Sequence, residues 1–354
     1  MFANGENPVK NDFEATEKRI LSVFEHAGLM RVLSMRKLPG DASNRSYYRC
    51  FLENDKSFIV MVNAASDKAI VSEEIATHAK EFNELPFINI HRYLTRLGIR
   101  VPAIHYHDER EGILILDDLG DTLLGDSINS RGNSAELYQQ AIDMMIRFQI
   151  KEEQIPSWCY ARLNRFSSKL YDFEFDHFME YGIEKAGVEL PHNIASKLQR
   201  LFHRLSVLFE RYSTIFVHRD YHSRNLLSFQ GQLYTIDFQD ALIGAPHYDL
   251  ASLLRDAYVD LPDDFVGQMV EYYLTNSPYA AAGFKDIFEL ISIQRMLKAA
   301  GRFRYIKLVK GNDKFMHYIP RLLQRIKRLA LSYHSDPPLE ILAEVIDRIP
   351  PVEQ

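Results

Sequence analysis

Followed only through its apolar and polar positions, the chain divides into two parts. Phe13, Ile20, Phe24 and Ala27 recur at helical spacing behind a polar cap at Asn11 or Asp12, and Gly28 supplies a stop, so an opening helix is predicted. Residues 31–62 then change period. Segments rich in Tyr, Phe and Leu flank a polar turn over residues 39–46, and SFIVMV reads as a compact strand, which together predict a hairpin able to cover a ligand. A helix is predicted over residues 72–97, closed by Gly98; VPAIHYH follows, and GILILDDLGD gives a short buried strand ending in acids and glycine. Glycine and serine thicken over residues 120–134, the best candidate linker. Beyond it Leu137, Ala141, Met144, Met145 and Phe148 return to helical spacing, and the remainder reads as helix apart from a β-rich island at 214–238. A smaller strand-rich part thus precedes a larger helical one.

Composition narrows the class. With 354 residues, 46% of them hydrophobic, the chain can bury a large core and is neither disordered nor fibrous. Its net charge of -6 sets up no general field for nucleic acid or an anionic membrane, so any phosphate must be held locally. Cys50 and Cys159 lie far apart and form neither a disulfide framework nor a CxxC motif. The first residues are polar, and no later stretch holds about 18 uncharged apolar residues. A cytoplasmic protein without a membrane or nucleic-acid partner is expected.

Candidate chemistry is concentrated in FVHRDYHSRNLLSFQGQLYTIDFQDALIGAPHYDL, residues 216–250. Asp220 and Asn225 stand in an HRDxxxxN arrangement, and Asp237 follows in IDF after a turn at 230–232. Phosphoryl transfer needs a carboxylate that orients the attacking hydroxyl and accepts its proton, and it needs oxygen donors for magnesium. Asp220 suits the first task. The Asn225 amide and the Asp237 carboxylate suit the second, because Mg2+ prefers hard oxygen ligands and keeps several waters. A short hairpin between them would bring both to one ion, since paired strands lie about 5 Å apart. Taken singly, Asp220 and Asn225 would serve equally as turn caps. His218 and His222 lack the helical setting and third ligand of a zinc or iron site, and His218 is expected to brace the loop through backbone hydrogen bonds.

LPGDASNRSYYR, ILILDDLGD, HRDYHSRNLL, IDFQDALIGAPHYDLASLLRDAY and IQRMLKAAG resemble, in order, segments of the aminoglycoside phosphotransferase and choline kinase superfamily, relatives of the protein kinases. The closer likeness is to bacterial anomeric kinases of N-acetylmuramate and N-acetylglucosamine, over residues 15–330. The resemblance implies an α+β, protein-kinase-like bilobal fold. Its small strand-rich N-lobe with the leading helix would span 1–118, a hinge 119–134, and a larger helical C-lobe with the catalytic loop and acceptor pocket 135–354. It also implies Mg2+ as cofactor, ATP as co-substrate and a sugar hydroxyl as acceptor, in cell-wall recycling.

Residue by residue, the likeness makes Asp220 the base and Asn225 and Asp237 the metal ligands. Asp249 becomes the acid that accepts backbone N–H groups of the catalytic loop, with a helix N-cap as the competing role. The turn with Ser43, Asn44 and Arg45 would cover the phosphates, or be an ordinary hairpin turn. Asp117 and Leu119, after the strand at 113–116, resemble the lobe-connecting stretch whose backbone would read adenine. Arg219, Asp240, Arg295 and Lys298 are acceptor candidates; the last two, three apart on one helix face, could meet a lactyl carboxylate or form a solvated basic face. LYDFEFDHFMEY would wall the acceptor pocket, although amphipathic packing also accounts for Phe173, Phe175 and Phe178.

One position departs from the pattern. Protein kinases carry a phosphate-binding lysine on the third strand, where FIVMVN offers Met61 or Val62, so Arg45 or Arg49 is expected to supply the charge. Choline, homoserine or an aminoglycoside as acceptor stays open, as does a nucleotide-binding regulator without turnover.

Overall fold

Helix α1 (Pro8–His26) lays Ile20, Val23 and Phe24 on a sheet because those positions share one helical face. It is already helical at Pro8, the first described residue, ahead of the expected cap at Asn11 or Asp12. The structure is a computed structural model that describes residues 8–39, 45–63, 84–126 and 134–352. The sheet is antiparallel throughout, in the order β1 (Val32–Lys37), β2 (Ser46–Leu52), β3 (Ser57–Val62), β5 (Ile113–Asp117), β4 (Ile104–Asp108). Alternation sends Tyr48, Cys50 and Leu52 of β2, Val60 and Val62 of β3, and Ile113 and Ile115 of β5 toward α1, where they form one buried cluster.

The described residues separate into two compact units, the first drawn from 1–68 and 102–120, the second from 69–101 and 121–354. The helix expected over 72–97 does not run unbroken: Leu85 is extended and Pro86 opens helix α2 (Pro86–Arg96), while residues 72–83 lie outside the described residues. The sequence reading grouped α2 with the strands, whereas it falls in the second unit. Packing explains why. Phe87 packs on Phe238 and Tyr93 on Phe216, with ring centroids 4.8 and 5.3 Å apart, and the Asn89 amide oxygen accepts the Tyr160 N–H at 2.7 Å.

The second unit is otherwise helical around short strand pairs. Its helices are α3 (Ser134–Phe148), α4 (Ser168–His177), α5 (His192–Glu210), α6 (Pro246–Leu254), α7 (Asp263–Asn276), α8 (Phe284–Lys310), α9 (Ile319–Ser332) and α10 (Glu340–Ile346). Two strand pairs carry the island read at 214–238: β6 (Ile215–Val217) with β9 (Leu242–Gly244), and β7 (Leu226–Phe229) with β8 (Gln232–Thr235), both antiparallel. Part of the expected linker is fixed, since Leu123 bridges Leu227 and the Ser228 N–H donates to the Thr122 carbonyl at 2.8 Å; residues 127–133 lie outside the described residues. Cys50 and Cys159 are buried and free.

Helix α8 runs unusually close to a neighbouring backbone at one point. A Cβ on Gly301 would lie 3.0 Å from the Phe178 Cα and 3.3 Å from the His177 carbonyl oxygen. Glycine there lets α8 press against the end of α4, which continues into one wider π turn over Phe178–Ile183.

Candidate active site

The loop after β6 starts as the buried apolar triplet Ile215–Val217 ends, so pairing with β9 fixes where His218, Arg219 and Asp220 emerge. Phe148 of α3 packs against both Phe216 and Tyr221, and the Tyr221 hydroxyl donates to the Ala141 carbonyl at 2.8 Å, which clamps the loop from behind. Asp249, in the first turn of α6 rather than at its cap, accepts the backbone N–H groups of His218 (2.7 Å) and Arg219 (3.0 Å). Burial pushes its carboxyl up to about 7 against the pull of those two donors. They hold Arg219 in a left-handed conformation, φ 80°, that a residue with a side chain rarely adopts unless its surroundings impose it. His218 completes the brace: its Nε2–H donates to the Ile236 carbonyl at 3.1 Å, and burial depresses its pKa to about 4, so the imidazole is neutral.

The hairpin β7–β8 closes on Gln230 and Gly231, both with positive φ (51° and 75°), the backbone of a two-residue turn that matches strand twist. Its open end brings the metal candidates together. Leu226 pairs with Thr235, the Ile236 N–H donates to the Asn225 carbonyl at 3.0 Å, and Asp237 follows at once, itself at φ 61°. The Asn225 Nδ2 donates to the Asp220 carbonyl at 2.9 Å, which commits the amide nitrogen and leaves its oxygen as the end available to a cation. Asp237 is exposed and accepts from Gln239 Nε2 at 2.9 Å. Among the described residues no group of three or more His, Cys, Asp or Glu could hold an ion alone. One amide oxygen and one carboxylate therefore fit an ion such as Mg2+ that draws its other ligands from phosphates and water, and they do not fit a closed zinc site.

Asp220 is flanked by cations. Its side chain is 31% exposed, and its Oδ1 lies 3.4 Å from Arg295 Nη2. Burial alone would raise its pKa, but Lys298, Arg295 and Arg219 outweigh it and hold the carboxyl far below the usual range, so it is ionised at any working pH. Arg295 is fixed in turn: it donates to the Tyr248 hydroxyl (2.8 Å) and the Ser252 hydroxyl (2.9 Å), and its guanidinium sits 4.8 Å from the Tyr248 ring centre.

Behind this layer lies Glu174 on α4, buried to 2% and paired with Lys298 (2.7 Å) and Arg219 (3.3 Å), while Gln294 Nε2 donates to its second oxygen at 2.7 Å. Burial favours its neutral form, yet the two cations pull its pKa below the ordinary glutamate value. The alternative of a solvated basic face for Arg295 and Lys298 is thereby corrected: their side chains are 11% and 21% exposed and turned onto Asp220, Tyr248 and Glu174. Sequence reasoning missed Glu174, although it left a signal. Tyr171, Glu174, Phe175 and Phe178 occupy positions i, i+3, i+4 and i+7, so a carboxylate sits inside an apolar stripe.

Two cavities of about 120 and 220 Å3 open onto this constellation, and Asp220, Lys298 and Arg302 border both. Arg219 and Asp240 line the larger, opposite Phe173 and His177 of α4. Phe175 and Phe178 are buried, whereas Phe173 is 49% exposed and presents its ring at the cavity.

The remaining predicted residues belong to the first unit or lie outside the described residues. Ser43 and Asn44 lie outside the described residues. Arg45 is buried in the first unit, where Asp117 ends β5 and accepts from His105 Nε2 at 2.6 Å, and Leu119 is buried. Met61 and Val62, at the position without the lysine, are buried in β3. Arg49 is already matched: Nε and Nη2 reach Asp118 at 2.7 and 3.0 Å, and the Ser57 hydroxyl donates to the same carboxylate at 2.6 Å, so Arg49 is not an uncommitted phosphate ligand.

Comparison with known proteins agrees with this geometry. The model of the phosphotransferase enzyme family, APH, matches residues 34–284. The N-acetylmuramate/N-acetylglucosamine kinase of Neisseria meningitidis serogroup B is 29% identical over 320 residues, 86% of this chain and 89% of that protein. Among solved structures, choline kinase LicA from Streptococcus pneumoniae superposes with a TM-score of 0.58 at 19% identity, covering 90% of this chain and 100% of that one. A streptomycin-ATP-APH(2'')-IIa ternary complex superposes with a TM-score of 0.54 at 15% identity, over 90% and 97% of the two chains. These two likenesses establish a kinase-like fold.

Proposed function

Because the chain belongs to the phosphotransferase enzyme family, we propose that it transfers the γ-phosphoryl group of ATP to the anomeric hydroxyl of an amino sugar such as N-acetylmuramate or N-acetylglucosamine. The observation that carries the reading is Asp220, an ionised carboxylate lining two cavities, on the braced loop that also carries Asn225, with Asp237 brought to the same end of the β7–β8 hairpin. The named Neisseria relative supports the sugar, and the ternary complex with ATP supports the nucleotide.

The acceptor hydroxyl would donate its hydrogen bond to the Asp220 carboxylate, which points the oxygen at the γ-phosphorus. As the new P–O bond forms and the bond to the β-phosphate oxygen breaks, the hydroxyl proton passes to Asp220 and ADP leaves. A carboxylate held this strongly ionised is a weak base, so it orients throughout and takes the proton late, when the oxygen has become acidic. Asn225 and Asp237 would hold Mg2+, which when bound neutralises phosphate charge. Asp249 and His218 keep the loop still, so that orientation costs no rearrangement during the reaction. Among the described residues no helix is long and apolar enough to cross a membrane, and we place the reaction in the cytoplasm, where ATP is available.

The test is transfer itself. Incubating the protein with labelled ATP and separate amino sugars, choline and aminoglycosides, then locating the phosphate by NMR, is expected to give a sugar 1-phosphate. Transfer to choline or an aminoglycoside alone, or to another sugar hydroxyl, would overturn the assignment.

A further inference from the structure

Five cations line the acceptor cavities, and four of them are spoken for, Arg255 by Asp263 and Glu289. Arg219 and Lys298 share the buried Glu174 at 3.3 and 2.7 Å, and Arg295 is held by Asp220, Tyr248 and Ser252. Arg302 differs. It lies four residues beyond Lys298 on α8, borders both cavities, is exposed, and among the described residues has no carboxylate partner. Its guanidinium rests 4.9 Å from the centre of the Tyr305 ring. That ring is itself fixed, 5.0 Å from Tyr181 in an edge-on contact and 5.3 Å from His177.

We propose that Arg302 recognises a carboxylate on the acceptor and so selects an acidic amino sugar over its neutral counterpart. The assignment rests on the amino-sugar reading above and names the acceptor class that fits best, a hexosamine bearing an acidic ether such as the lactyl group of N-acetylmuramate. Arg295, Lys298 and Arg302 share one side of α8, which rises about 1.5 Å per residue, so Arg302 stands roughly 10 Å along the helix from the residue that touches Asp220. An acceptor lying along that row with its anomeric hydroxyl at Asp220 directs a distal substituent toward Arg302. The exposed Phe173 ring offers the facing wall an apolar surface for the sugar ring. Stacking on Tyr305 pre-orients the planar fork that a carboxylate engages with two parallel hydrogen bonds. Lys298 cannot take this role without abandoning Glu174 in a buried site.

The experiment measures kcat/KM for N-acetylmuramate and N-acetylglucosamine with the wild-type protein, Arg302→Ala and Arg302→Lys. The ratio of the acidic to the neutral sugar is expected to fall about 10- to 100-fold in Arg302→Ala, the size of a lost hydrogen bond to a charged group. Arg302→Lys is expected to fall between the two, since it keeps the charge and loses the fork. Added salt is expected to lower the wild-type ratio and leave that of Arg302→Ala nearly unchanged. A ratio unaffected by Arg302→Ala overturns this assignment alone. A wild-type protein that phosphorylates neither sugar overturns the amino-sugar reading, and this assignment with it.

Discussion

Glu174 joins residues that lie far apart along the chain, with Arg219 at 45 positions and Gln294 at 120. Distance in sequence is why its role was not legible beforehand, whereas Asp220, Asn225 and Asp237 sit within one loop and one hairpin and could be read from spacing alone. The brace by Asp249 was foreseen only through resemblance, because nothing local in YDLASLL says which backbone groups the carboxylate will meet. Glu174 also answers an energetic demand: two cations next to a buried carboxylate site need a counter-charge, or their desolvation goes uncompensated. Glu174→Gln removes that charge while keeping the shape. It is expected to lower the unfolding free energy by about 3 kcal/mol. Urea denaturation measures this, and a loss below about 1 kcal/mol would show that Arg219 and Lys298 do not depend on Glu174.

Helix α8 carries Arg295, Lys298 and Arg302 past the cavities, and its placement depends on Gly301. The periodicity of IQRMLKAAG revealed a helix but could not reveal that its glycine meets another backbone, because that requires knowing what lies opposite. In an exposed helix Gly301→Ala would gain up to about 1 kcal/mol of helix propensity. Here the new methyl meets the His177–Phe178 backbone at 3.0–3.3 Å, and overpacking of this kind costs about 1–3 kcal/mol. The expected result is a net destabilisation of about 1 kcal/mol, read from the midpoint of chemical unfolding. A variant more stable than the wild type would contradict the close approach. The strands were more legible: SFIVMV and GILILDD carry their apolar runs into β3 and β5, which pair with Val60 opposite Ile115.

At the scale of the whole chain, the order of a strand-rich part before a helical one was visible in the change of hydrophobic period. The grouping of α2 with the second unit was not, because it is decided by Phe87 and Tyr93 packing on rings more than a hundred residues later. Nor could the sequence say that Arg49 is matched by Asp118, a pair formed across the sheet of the first unit. Both units show consistency between local pattern and packing, and in the second unit Arg219 and Asp237 of the candidate site hold positive φ.

The measurement that bears most directly on the central claim is single-turnover phosphoryl transfer by Asp220→Asn, which keeps the size of the side chain and removes its charge. The rate is expected to fall about 10²- to 10⁴-fold, with nucleotide affinity and circular dichroism close to wild type. A transfer rate within a factor of about three of wild type would show that the carboxylate beside Arg295 and Lys298 neither orients the acceptor nor accepts its proton.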